Sequence, residues 1–229
     1  MLDEDLMSVL ASIIIDTTPV ASYVGRRNLI VRDIVLKSVE EGEEPLLKYM
    51  AENNRVPLHS SYLTEESYAM CSKSAVYVGT YPMEVPAEEI VKMPRFCREF
   101  LGAFHTHPVP IHIPTPYDVI DAYQLKQKVE CVGINLDGES ARILCLSPHA
   151  HQGWLKVAEI LSEEFFDYMV SRVSQYLVVM NDLQEIYFLP SPTYEELIAL
   201  EEYFVRLTKD LADIAIVAVN GNSYTVKMR

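Results

Sequence analysis

Positive charge is scarce in this 229-residue chain: 19 Lys and Arg stand against 33 Asp and Glu, a formal net charge of −14. So negative a surface repels phosphate backbones and argues against a nucleic-acid partner. Long apolar runs are also missing. No uninterrupted stretch approaches bilayer-spanning length, so no membrane partner is expected. The opening MLDEDLMSVLASIIID is acidic where a secretory signal would be basic. The four cysteines, Cys71, Cys97, Cys131 and Cys145, contain no CxxC pair, and three sit in apolar surroundings. The expectation is buried free thiols in a reducing cytoplasm. HExxH, GxSxG and P-loop motifs are absent, as are repeats and low-complexity segments.

What is present reads as an ordinary globular chain, 49% hydrophobic and 23% charged, long enough for one large domain or two small ones. Short helices are expected at 3–11 and 45–53, the latter opened by Pro45 in an acidic turn. Residues 29–39 are apolar and β-branched and fit helix or strand. A helical turn or two is expected over 62–70, with Glu65 and Glu66 inside it. Strands are expected at 75–79 and 100–107, followed by a helix over 116–128. Strands at 129–136 and 141–146 would join through Asp137-Gly138, a hairpin signal. A long amphipathic helix over 152–181 carries the single Trp. A short strand at 185–189 precedes a helix capped by Ser191 with Pro192 in first position. A hairpin around Asn220-Gly221 ends the chain. The fold class is mixed α/β (α+β) with antiparallel pairing. Its parts are an N-terminal extension (1–57), a core (58–150) and a C-terminal α/β extension (151–229).

The stretch HTHPVPIHIPTPYD, residues 105–118, concentrates chemistry. On a strand, His105 and His107 point to the same side and can share a metal. A catalytic zinc takes three protein ligands and keeps one position for water. Thr115-Pro116-Tyr117-Asp118 has the form of a helix start, with Thr115 as N-cap, Pro116 in first position and Asp118 third in the first turn. That places Asp118 at a defined helix end, where it can be the third ligand, and the prolines between stiffen the connection.

The pattern H-x-H-P, then Thr115, two residues and Asp118, resembles the signature of the JAMM (MPN+) metalloproteases over about residues 58–148. The resemblance implies a mixed β-sheet flanked by helices, a JAMM/MPN-like (cytidine-deaminase-like) fold. It implies one zinc ion per chain on His105, His107 and Asp118, and hydrolysis of an isopeptide or peptide bond after the tail of a ubiquitin-like modifier. The family usually has Ser where Thr115 stands; Thr keeps the hydroxyl and adds a methyl. Its upstream glutamate, the base that activates water, matches Glu66 better than Glu65. Thr115 and zinc would then stabilise the oxyanion. The same zinc chemistry on a sulfur-carrier protein or a small peptide-like substrate is one alternative, and a non-catalytic scaffold is another. Elsewhere, His149-Ala-His151 reads as a solvated helix start, His112 as a rim residue, and the stripe from Trp154 to Met169 as core.

Overall fold

Alternating apolar residues build a large seven-stranded sheet, and they do so on both of its faces. The computed structural model describes residues 2–20 and 29–229; residues 1 and 21–28 of the leader lie outside the described residues. The strands of this sheet are β3 (Thr64–Cys71), β4 (Ser74–Pro82), β5 (Phe100–Thr106), β6 (Val129–Asn135), β7 (Ser140–Pro148), β10 (Ala212–Asn220) and β11 (Ser223–Met228). Their order is β11-β10-β7-β6-β5-β3-β4. All neighbours are antiparallel except β5 and β6, which run parallel. A parallel step needs a crossover, and it is supplied by the site-bearing loop and α5 (Pro116–Gln124). β1 (Leu29–Val31), β2 (Leu58–His59), β8 (Gln175–Met180) and β9 (Ile186–Pro190) form a second, smaller sheet around β8.

The side chains sort with a period of two. On one face, Leu144, Leu146, Ile214 and Ile216 pack with Trp154 and Phe204. These come from α6 (Gly153–Ser162) and α8 (Tyr194–Thr208). On the other face, Ile143, Cys145, Ala215 and Val217 pack against Leu6, Met7, Leu10 and Ile14 of α1 (Glu4–Ile14). Asp3 caps α1 by accepting from the Leu6 amide at 2.8 Å. Each such buried aliphatic contributes about 1.5–3 kcal/mol. The leader and the C-terminal region are therefore built into the same body, since β10 pairs along the whole of β7. Gly102 permits the tight β5–β6 approach: a Cβ there would lie 1.6 Å from the Val129 carbonyl oxygen.

Several expectations need correction. Residues 62–70 are not helical: 60–62 form a 3-10 turn and 64–71 are β3, held between β4 and β5. The long helix over 152–181 is instead α6, then α7 (Glu164–Arg172), broken at Glu163, then β8. The β-branched run QYLVVM pairs with β1 and β9, and this tertiary pairing overrides the helical pattern. Residues 29–39 divide between β1 and α2 (Arg32–Glu41), and α3 spans Glu44–Glu52. The cap of α8 is Thr193, in a capping box with Glu196. Ser191 instead extends the small sheet by donating its amide to the Gln175 carbonyl at 3.0 Å, so the helix starts later.

The cysteines are not free thiols. Cys71 pairs with Cys97, and Cys131 with Cys145 across directly opposed positions of β6 and β7. Disulfides persist in oxidising compartments and, inside cells, chiefly in hyperthermophiles. The free-thiol support for a cytoplasmic location is therefore gone. No helix among the described residues is long and apolar enough to cross a membrane.

Candidate metal centre

The histidines stand at the end of β5, in the middle of the sheet. β5 ends formally at Thr106, but the His107 amide donates to the Gly133 carbonyl at 2.9 Å and keeps the backbone in line. Alternation then turns His105 and His107 to one side, each only 6–7% exposed. Their Nε2 atoms lie 3.2 Å apart. Behind them, His105 Nδ1 meets Glu130 Oε1 at 3.1 Å, and His107 Nδ1 meets the Ile111 carbonyl at 2.7 Å. A carbonyl only accepts, so His107 carries its proton on Nδ1 and presents a lone pair at Nε2.

Asp118 arrives from the opposite side. Thr115 caps α5, and a capping box joins the two residues. The Thr115 amide and hydroxyl donate to Asp118 Oδ2 at 2.6 and 2.8 Å. Thr115 thus orients the carboxylate: its hydroxyl is engaged on Asp118 rather than free for the oxyanion role that the resemblance implies. Asp118 Oδ1 lies 3.5 Å from His105 Nε2, and Oδ2 lies 3.6 Å from His107 Nε2. Donor atoms of the three residues all fall within 4.8 Å of one another.

This set fits a small divalent cation. With the rings held from behind through Nδ1, both Nε2 atoms and a carboxylate face one point. Tetrahedral ligand bonds of about 2.0–2.1 Å place ligand atoms about 3.3–3.4 Å apart, and the observed separations of 3.2–3.6 Å lie around that value. Without a cation, a proton takes the role. Burial alone would lower the His105 pKa, but Asp118, Glu130 and Glu65 together hold it well above its ordinary value. Burial would likewise raise the Asp118 pKa, yet the two histidines hold it well below the usual carboxylate range. A metal would displace the proton.

The two candidate bases separate sharply. On β3, Ser67 pairs with His105 and Tyr68 with Phe104. Glu65 shares a face with Ser67, and both line the cleft that holds the histidines. Glu65 is 8% exposed. Burial pushes its pKa up to about 7, opposed by His105 and His107. Glu66 faces the other way. Its Oε1 accepts from the Thr18 amide and hydroxyl at 2.9 and 3.1 Å, and its Oε2 accepts from the Tyr68 hydroxyl at 3.1 Å. The resemblance matched Glu66 better than Glu65, with both expected in a helical turn; on a strand, adjacent residues point to opposite faces, and Glu66 ties β3 to the leader.

Sequence reasoning passed over Glu130. It is 3% exposed in a strand buried along its full length, and burial pushes its pKa up to about 7 against His105. A lone carboxylate inside VECVGIN was the available signal, since a buried acid requires a partner. His112 is fully buried rather than a rim residue. His149 pairs with Asp213 at 3.1 Å in an exposed position, and His151 stacks on Tyr123. Neither models of known protein families nor curated proteins match this chain.

Proposed function

We propose that this chain is a metallo-hydrolase that cleaves an amide, with one zinc ion held by His105, His107 and Asp118. The observation that carries the reading is the convergence of the His105 and His107 Nε2 atoms and the Asp118 carboxylate beside the buried Glu65. When bound, zinc would polarise the scissile carbonyl and lower the pKa of a water from about 15.7 toward about 7. Glu65 supplies the base. Buried in the cleft beside both histidines, its carboxylate is placed to take a proton from the attacking water and pass it to the leaving amine. Glu130 accepts from His105 Nδ1 and fixes that ring, as Ile111 does for His107. Thr115 holds the Asp118 carboxylate in place.

The substrate class follows from the resemblance to JAMM metalloproteases together with the shape of the site. Met83, Val85, Val109 and Leu189 form an apolar flank to the cleft. The neighbouring β4 is an edge strand of the large sheet. An extended, flexible tail can lie along such an edge as an added strand. This supports an isopeptide or peptide bond after the tail of a ubiquitin-like protein; a sulfur-carrier protein with the same kind of tail is chemically equivalent at the bond. The test is metal analysis of the purified chain after zinc reconstitution, then cleavage of modifier conjugates. About one zinc per chain and release of the modifier are expected. Absence of zinc, or zinc without any cleavage of such amides, overturns the reading.

A further inference from the structure

The loop that joins the histidine strand to α5 is anchored from behind. His112 lies within it, fully buried, with Nε2 2.8 Å from Glu201 Oε2. Glu201 stands on the buried side of α8. The same carboxylate oxygen accepts from Arg142 of β7, through Nε at 3.0 Å and through Nη2. These donors hold Glu201 ionised: burial works against it, but His112 and Arg142 outweigh burial and lower its pKa. His112 is then a neutral donor through Nε2–H, and its Nδ1 has no hydrogen-bond partner.

The position of this cluster matters. The Ile111 carbonyl and the His112 nitrogen belong to one peptide unit. That carbonyl accepts from His107 Nδ1 and so sets which nitrogen His107 offers to the metal. The side chain that follows the peptide is locked to α8. We propose that the Arg142–Glu201–His112 cluster is a positioning relay, through which β7 and α8 hold the Ile111 carbonyl under His107 and keep its Nε2 aimed at the metal. The inference rests on the metal reading of the centre. It also assigns a task to the C-terminal region: α8 completes the metal site although it contributes no ligand.

His112 is held by one hydrogen bond to Glu201 through Nε2, while its Nδ1 meets no polar atom among the described residues and carries a desolvation penalty there. Outer partners that orient metal-ligating histidines typically contribute 10- to 100-fold in metal affinity, and that contribution would offset the penalty.

The experiment uses the full chain, stripped of metal and titrated with zinc against a chromophoric chelator, with thermal melts and imidazole 15N spectra of the zinc-free protein. His112→Leu is expected to weaken zinc binding by about 10- to 100-fold and to lose the His107 Nδ1–H signal. His112→Gln, whose amide can still donate to Glu201, should recover most of the affinity. A purely structural role would lower the melting temperature of His112→Leu and leave zinc affinity and the His107 signal at wild-type values; that result overturns the relay, as does an equal loss in His112→Gln. Should His112→Leu fail to fold, Glu201→Gln replaces it: a several-fold loss of affinity is expected, and unchanged affinity overturns the proposal. Wild-type protein that takes up no zinc would sink the metal reading and the relay together, an outcome distinct from wild-type binding matched by the variants.

Discussion

Two His-x-His pairs occupy this chain, His105 with His107 and His149 with His151. Their spacing is identical, and their surroundings are opposite. The first pair closes a central strand; each ring is buried and held from behind by an acceptor, Glu130 or Ile111. The second lies past the end of β7, where His149 takes Asp213 on the surface and His151 stacks on Tyr123. Spacing alone therefore makes no site. What sets the first pair apart is that acceptors hold both rings from behind and a carboxylate is delivered beside them on a rigid helix start. Backbone in the middle of a sheet has no freedom to relax away from that arrangement.

The largest expected effect breaks the first pair. Asp118→Ala or His105→Ala should remove zinc and hydrolysis together, whereas His149→Ala and His151→Ala should leave both intact. Zinc content beside turnover decides; zinc retained in Asp118→Ala would mean that the ligand set is wrong.

Next comes the base. Glu65→Gln should lower turnover by about 10²–10⁴-fold with zinc still bound, because the amide keeps the shape and cannot take a proton. Glu66→Gln should leave turnover near wild type and loosen only the link to Thr18. An inactive Glu66→Gln beside an active Glu65→Gln would reverse the assignment.

A third test concerns the rear acceptors. Glu130→Gln is expected to weaken zinc by about 10- to 100-fold, measured by chelator competition; Asp213→Asn, behind His149, should change nothing in the same titration.

The pH dependence of stability gives a fourth, smaller effect, read in chelator-treated protein. Folding raises the pKa of Glu65 and Glu130 from 4.5 to about 7, with burial as the main cause. It also raises the pKa of His105. Groups with raised pKa bind more protons folded than unfolded, so their stabilisation is present below the unfolded value and lost as pH rises through the folded one. The metal-free melting temperature should fall from about pH 5 toward pH 8, and zinc should restore it at the upper end. A flat profile would contradict the electrostatics of the buried pair.

The disulfides add a fifth test outside the pairs. Under non-reducing denaturation no thiol should react, and Cys71→Ser with Cys97→Ser should lower stability by about 2–4 kcal/mol. Four titratable thiols would restore the free-cysteine expectation.

Much of the candidate site's geometry was legible because its signals are local. The two-residue period of a strand aims His105 and His107 together, and Thr115-Pro116 starts a helix wherever it stands, so Asp118 follows from the capping box alone. The Asp137-Gly138 and Asn220-Gly221 hairpins were legible for the same reason, since those turns need positive φ and both glycines have it.

What only the tertiary structure decided depends on partners distant in the chain. Residues 62–70 read as a helical turn or two when taken alone; pairing with β4 and β5 makes 64–71 a strand, and that one change turns Glu65 toward the site and Glu66 away from it. Glu130 gains its meaning from β5 beside it, and His112 from Glu201, 89 residues away. The cysteines become disulfides only because strand register sets Cys131 against Cys145 and the turn after α4 (Ala87–Ile90) brings Cys97 to Cys71. Local pattern determines which way a side chain points within its element; which element it belongs to, and what stands opposite, is set by burial and pairing summed over the whole fold.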